Sequence, residues 1–314
     1  MTGEQVHRTE HTITVAARPE HAYDVIADVS AWPHLFPPTV HAEEVSREGD
    51  EQVIRLWAFA NGEVRSWTSR RWLDETGLRI RFRQEASSAP VASMGGEWIM
   101  RPSDGGTEVA LLHDFTAVDD DPAQVEWITK AIDRNSGQEL ESLRQTAERL
   151  AGDDRLVVSF ADSVVIDGKL PDVYDFIYRC QDWPDRLPHV SRLDVAEDDS
   201  GVQVMEMDTR SPDGDVHTTK SVRVCFADDR IVYKQTMTPK IMTAHTGEWQ
   251  FAECDDGVLA TSRHTVMIAA DAVPDVLGPD RTVDDARGAI RTALGTNSLT
   301  TLRRAKAYVE NGHG

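Results

Sequence analysis

Apolar and polar positions change period several times along this chain, and they do so in the same order twice. Thr12-Ile13-Thr14-Val15 alternates with the period of two that a half-buried strand requires. Pro19 then stands where a helix opens, since its missing N–H costs nothing in a first turn. Ala22, Val25, Ile26 and Val29 follow at helical spacing. In the second half Pro171 takes that place, with Val173, Phe176, Ile177 and Cys180 behind it. A Trp-Pro turn closes each segment, at Trp32-Pro33 and Trp183-Pro184. Strand-like stretches come next, at 52–60, 64–73, 78–84, 96–101 and 109–116 in the first half, punctuated by turns such as Asp104-Gly105-Gly106. Each half ends in a long amphipathic helix. Val125, Ile128, Ile132, Leu140, Leu143, Ala147 and Leu150 mark one face of the first; Ile290, Leu294, Leu302, Ala305 and Val309 mark the second.

Residue identities repeat along with the pattern. Tyr23-Asp24, Ile26 and Trp32-Pro33 return as Tyr174-Asp175, Ile177 and Trp183-Pro184, at an offset of 151 positions. Glu97-Trp98 and His113 return as Glu248-Trp249 and His264 at the same offset. Ser69-x-Arg71 returns as Ser221-x-Arg223, and Asn135-Ser136 as Asn297-Ser298. Stacked arrays repeat every 20–50 residues or so, so this period signals two copies of a whole domain. The expected domains are 1–152 and 153–314, with Ala151-Gly152-Asp153-Asp154 as the linker. One strand, a short helical segment, many antiparallel strands and a closing helix make an α+β domain. A curved sheet wrapped around a long helix leaves a cavity between them, a natural small-molecule site.

Composition narrows the partners. The 314 residues are 40% apolar and 28% charged, as in ordinary globular domains. No apolar run approaches the roughly 18 residues of a membrane span, and the polar start, Met1 to His11, lacks a signal-peptide pattern. A cytoplasmic protein is expected. A net charge of −21 disfavours nucleic acid and anionic membrane. Three cysteines, Cys180, Cys225 and Cys254, offer neither a disulfide framework nor a metal spacing. His7-Arg8-Thr9-Glu10-His11 matches the H-x-x-E-H zinc string, but that chemistry needs a helix and this stretch runs into a β-alternating segment. No P-loop, dinucleotide glycine motif or G-x-S-x-G is present.

Three motifs carry a family likeness: Asp28-x-x-x-Trp32-Pro33-x-Leu35-Phe36-Pro37, Ser66-Trp67-x-Ser69-x-Arg71, and Asp133-Arg134-Asn135-Ser136 on the closing helix. Together they resemble the bacterial aromatic polyketide aromatase/cyclases of the START-like, helix-grip superfamily, and the two-copy arrangement is similar to the di-domain subclass. The resemblance implies two tandem helix-grip domains. It also implies cyclisation of a poly-β-ketone chain tethered to an acyl carrier protein, followed by dehydration to an aromatic ring, with no metal or redox cofactor. It gives Arg71 the role of the pocket arginine. The first half departs from the family at Thr39, where an aromatic residue often follows the Trp-Pro turn.

The residues suit that chemistry. Protons between two ketones are already acidic, so the enzyme must fold the chain, hold an enolate and polarise the attacked carbonyl. A guanidinium stays charged and grips two oxygens at once. Strand alternation puts Trp67, Ser69 and Arg71 on one face. In the second half Ser221 and Arg223 are the counterparts, with Thr219 in place of Trp67. There Val222, Val224 and Phe226 make the opposite face the apolar one, which leaves two readings open for Arg223, the pocket or solvent. His113 and His264 share strand faces with apolar neighbours and are candidate general acid/bases for dehydration. Trp32, Trp98, Trp183 and Trp249 are core residues on which a flat product could also stack. Asn135 and Asn297 sit mid-helix, where Asn is a poor helix former, which leaves open contact with a ligand, a local hydrogen bond to the backbone, or a kink in the helix. The rival reading is a non-catalytic START-like carrier of an aromatic or lipid ligand, which would need an almost wholly apolar pocket. Retention of histidine and Ser-x-Arg in both halves, with Thr219 as a departure, points to two sites with unequal roles.

Overall fold

The computed structural model describes residues 5–60, 62–152, 154–210, 214 and 216–312. The chain forms two compact units, Met1–Asp154 and Arg155–Gly314. The first runs β1 (His7–Val15), α1 (Pro19–Ala27), α2 (Trp32–Leu35), β2 (Thr39–Glu48), β3 (Glu51–Ala60), β4 (Glu63–Asp74), β5 (Arg79–Gln84), β6 (Val91–Ser103), β7 (Gly106–Ala117) and α3 (Pro122–Gly152). The second repeats it as β8 (Val157–Ile166), α4 (Leu170–Tyr178), α5 (Trp183–Arg186), β9 (Val190–Glu197), β10 (Val202–Arg210), β11 (Val216–Phe226), β12 (Arg230–Met237), β13 (Met242–Cys254), β14 (Gly257–Ile268), α6 (Val273–Leu277) and α7 (Val283–Glu310).

Each unit is an antiparallel sheet of seven strands, ordered β1-β7-β6-β5-β4-β3-β2 and β8-β14-β13-β12-β11-β10-β9. The long closing helix of each lies against the first and last strands. This is the helix-grip, START-like fold expected. Its cores form where the helix meets the sheet. In the first unit Ile26, Ile80, Trp98, Leu111, Leu140, Leu143 and Ala147 share one buried cluster. In the second Ile166, Ile177, Trp183, Trp249, Leu302 and Ala305 do so. Proline opens α1 and α4 in place of a side-chain cap. Helix α7 instead begins with a capping box between Thr282 and Asp285. Among the described residues no helix is long and apolar enough to cross a membrane.

Three local expectations need correction, and the open alternative at Arg223 is resolved. Strand β2 has no counterpart among the segments read from periodicity, because beyond Val40 and Ala42 its residues are polar or lie at the exposed sheet edge. The linker is shorter than expected, since Ala151 and Gly152 continue α3; Asp153 lies outside the described residues, and a 3₁₀ turn leads from Asp154 into β8. Arg223 does not face solvent. Strand β11 is buried on both faces, with Val222 at 0% and Arg223 at 1% exposure, so an apolar face on one side says nothing about the other. Leu78, read as the first residue of a strand, lies outside β5 with a positive φ of 50° and belongs to the turn. The H-x-x-E-H string lies on β1, where His7 meets Asp120 and His11 meets Asp133 at 2.9 Å.

Candidate active site

One row of cross-strand partners builds the site in each unit. In the first, Gln52 pairs with Arg71, Arg71 with Phe82, Phe82 with Gly96, and Gly96 with His113. In the second, Gln203, Arg223, Tyr233, Gly247 and His264 form the matching row. Side chains directly opposite one another leave a sheet on the same side. The arginine and histidine, far apart in sequence, are thereby aimed at one cavity. That cavity is about 260 Å³ in the first unit and is lined by Trp32, Trp67, Ser69, Arg71, Trp98, His113 and Asn135. In the second unit it is about 130 Å³, lined by Trp183, Thr219, Ser221, Arg223, Trp249, His264 and Asn297. Every candidate residue read from the sequence borders the cavity of its own half.

The two arginines are held alike. Arg71 is 1% exposed, and its Nη2 donates to the carbonyl oxygens of Ile26 at 2.8 Å and Ala27 at 3.5 Å, the last residues of α1. Arg223 donates to Ile177 at 2.7 Å and Tyr178 at 3.4 Å at the end of α4. Terminal helical carbonyls lack intrahelical partners and carry partial negative charge, so they orient a guanidinium without neutralising it. The rings of Trp32 and Trp183 lie 5.2 and 5.5 Å from the two guanidinium carbons. Their indole N–H groups donate into the same helix ends, Trp32 to Ile26 and Trp183 to Phe176. These tryptophans therefore brace the arginines as well as filling the core. Nη1 of Arg71 and Nε of Arg223 have no hydrogen-bond partner. Burial pulls Arg71 down to about 10, which still leaves it charged at neutral pH.

The histidines differ in company. Among the described residues His113 makes an edge-on ring contact with Phe82, 5.6 Å between centroids, and its Nδ1 has no hydrogen-bond partner. Burial, assisted by the nearby His11, lowers it to about 4. Burial also lowers His264 to about 4, with Asp162 opposing and Arg291 adding to the shift. Yet Nδ1 of His264 lies 3.1 Å from the Tyr233 hydroxyl and 3.1 Å from Nε2 of His245, while its Nε2 lies 3.2 Å from Oγ of Ser262. At the offset of 151, Tyr233, His245 and Ser262 match Phe82, Met94 and Leu111. The second unit thus has three hydrogen-bonding residues around its histidine where the first has apolar residues at the matching positions.

Sequence reasoning singled out none of these neighbours, although comparison of the halves position by position exposes them. It also missed Glu139, one helical turn beyond Asn135 on the cavity side of α3, whose carboxyl burial pushes up to about 7. Thr301 borders the second cavity from α7 without any such carboxyl. Asn135 is exposed at the cavity margin and Asn297 half-buried, and the helical assignment runs unbroken through both. Thr39, 7% exposed, borders the first cavity.

A family model described as "Polyketide cyclase / dehydrase and lipid transport" matches residues 6–148, and a second of the same description matches 166–286. The granaticin polyketide synthase bifunctional cyclase/dehydratase of Streptomyces violaceoruber is 47% identical over 96% of this chain and 93% of its own. The actinorhodin polyketide synthase bifunctional cyclase/dehydratase of Streptomyces coelicolor is 43% identical over 96% of each. Among solved structures, the di-domain ARO/CYC BexL from the BE-7585A biosynthetic pathway superposes with a TM-score of 0.90 at 48% identity, covering 97% of this chain and 99% of BexL. The di-domain ARO/CYC StfQ from the steffimycin pathway gives 0.84 at 35% identity, covering 96% and 98%. A duplicated helix-grip unit, each with a buried arginine and a histidine turned into its cavity, fits these relatives along its whole length, and the chain belongs to the polyketide cyclase/dehydrase family as a di-domain aromatase/cyclase, an enzyme of polyketide biosynthesis.

Proposed function

We propose that the first unit folds a poly-β-ketone carried by an acyl carrier protein and closes its first ring by aldol addition, and that the second unit removes water from the cyclised product. The observation that carries the division is the contrast between the cavities. The first is about 260 Å³ and the second about 130 Å³, which suits an extended chain and a compact ring respectively. In the first unit Arg71 holds the enolate or the attacked carbonyl oxygen, with Ser69 beside it, while Trp32, Trp67 and Trp98 confine the chain. A cation fixed by helix carbonyls needs no reorganisation as oxyanion charge develops. In the second, Arg223 and Ser221 polarise the ketone next to the carbon that loses its proton, and His264 handles protons. Trp183 and Trp249 offer walls for the ring, and Asn135 and Asn297 stand on the helices that border the two cavities. A charged guanidinium in each cavity argues against the carrier reading, because a pocket for an apolar cargo gains nothing from a buried cation.

We take the reaction to run in the cytoplasm, where carrier-bound chains are assembled, and to need no cofactor. The test is product analysis from a reconstituted polyketide synthase with and without this protein. Aromatised product only in its presence supports the reading; unchanged products in both reject it.

A further inference from the structure

We infer that Tyr233 is the proton donor of the dehydration step, coupled to His264, with His245 and Ser262 as positioning residues that set the imidazole. This rests on the reading of the second unit as the dehydrating one. Loss of water from a β-hydroxyketone requires a proton taken from carbon and a proton given to the departing hydroxyl. Both Tyr233 and His264 border the cavity, and the phenol lies 3.1 Å from Nδ1 of the imidazole.

The step balances within these groups. Nε2 of His264, released from the Ser262 hydroxyl 3.2 Å away when substrate enters, takes the proton from the carbon beside the ketone, and the C–H electron pair becomes an enolate held at Arg223. The enolate pair then forms the C=C bond as the C–O bond breaks, and the Tyr233 hydroxyl protonates the leaving oxygen to give water. Nδ1–H of the imidazolium returns a proton to the phenolate. Imidazole and phenol are both neutral again, the imidazole now carrying its proton on Nε2; loss of that proton to water and return of one to Nδ1 resets the tautomer, and no net acid, base or oxidant is consumed.

Three features fit this use. Burial holds the phenol above its ordinary range and the imidazole below its own, so at neutral pH the pair rests as neutral phenol and neutral imidazole. Gly247 lies between them in the sheet row, and a β-carbon there would stand 2.3 Å from the Tyr233 hydroxyl. The phenol leans across to His264 over that glycine, whose β-carbon would also meet the Arg263 carbonyl at 2.7 Å; Gly96 leaves the same room over Phe82 in the first unit. The first unit, which keeps Arg71 and His113, has Phe82 in place of Tyr233 and cannot run the same relay. The charged and titratable groups around His264 are Tyr233 on β12, His245 on β13, Asp162 on β8 and Arg291 on α7, the last two joined at 2.7 Å.

The test compares Tyr233→Phe, His245→Met and Arg223→Ala in a synthase reconstituted with its carrier protein. Tyr233→Phe installs the residue that the first unit already accommodates, so the packing survives. It is expected to cut aromatised product at least tenfold while the cyclised, undehydrated alcohol accumulates. His245→Met copies the first unit in the same way. It is expected to move the acidic limb of the dehydration pH profile downward, because the imidazolium loses an acceptor at Nδ1. Wild-type dehydration in Tyr233→Phe with loss in Arg223→Ala overturns the relay alone. Wild-type product from both overturns the assignment of dehydration to the second unit as well. A uniform rate loss in His245→Met, with the limb unmoved, removes His245 from the positioning role.

Discussion

The Tyr233 hydroxyl lies 3.1 Å from Nδ1 of His264, whereas Phe82, its counterpart beside His113, offers only a ring edge at 5.6 Å between centroids. The two cavities share a frame and differ in what surrounds one retained side chain. The frame is a buried arginine bound to the end of a short helix; the difference is the set of hydrogen bonds around the histidine.

Arg71→Lys should fail in cyclisation almost as fully as Arg71→Ala. An ammonium cannot hold the Ile26 carbonyl at 2.8 Å and also present a planar fork to two substrate oxygens. Loss of one preorganised oxyanion donor is worth about 3–4 kcal/mol of barrier, a rate loss of about 10²–10³. Product analysis measures the rate, and circular dichroism checks that each variant is folded. A correctly cyclised product at wild-type level from Arg71→Lys contradicts the role.

Gly247→Ala should uncouple Tyr233 from His264, since its β-carbon would stand 2.3 Å from the phenol hydroxyl. The ring must turn away, and dehydration should fall to the level of Tyr233→Phe. Adding Gly247→Ala to Tyr233→Phe should then cost little more, because neighbours that act through one contact are not additive. Full additivity of the two losses would show that the glycine serves only the backbone.

Stability should fall on mild acidification. His113 and His264 have folded values of about 4 against an ordinary 6.5, so the fold binds fewer protons than the unfolded chain between those limits. Their contribution is fully present above pH 6.5 and is lost as pH falls toward 4, with about 1–3 kcal/mol at stake for each. Thermal unfolding from pH 7 to 4.5 should show the decline, and His113→Gln should flatten it. An unchanged slope in that variant would show that His113 is not buried as a neutral ring.

Glu139 should act in the opposite sense. Its folded value is about 7 against an ordinary 4.5, so the neutral carboxyl is the favoured form within the fold. The associated stability is full below pH 4.5 and is lost as pH rises through 7. Glu139→Gln, which keeps the shape without the charge, should raise the unfolding temperature at pH 8 and leave it nearly unchanged at pH 5. Equal shifts at both pH values would refute an uncharged, half-buried Glu139.

The frame was legible in the sequence because period and repetition both report backbone geometry. Alternation placed Trp67, Ser69 and Arg71 on one face, and the offset of 151 tied His113 to His264. Strand β2 was not legible, since an edge strand exposed over its whole second half carries no alternating burial pattern. Arg223 stayed ambiguous between pocket and solvent because a strand buried on both faces loses the contrast on which alternation depends. Tyr233, His245 and Ser262 escaped for another reason. Attention to what the halves share passes over the positions where they differ, and function divides there.

Division of labour between the cavities is the central claim, and Arg71→Ala compared with Arg223→Ala tests it most directly. Each variant is supplied to the reconstituted synthase and its products are identified by mass spectrometry. Arg71→Ala should yield chains misfolded or uncyclised at the first ring. Arg223→Ala should yield a correctly closed ring that retains the elements of water, heavier by one water than the aromatised product. Identical shunt products from both variants, or unchanged aromatised product from Arg223→Ala, would contradict two sites with separate tasks.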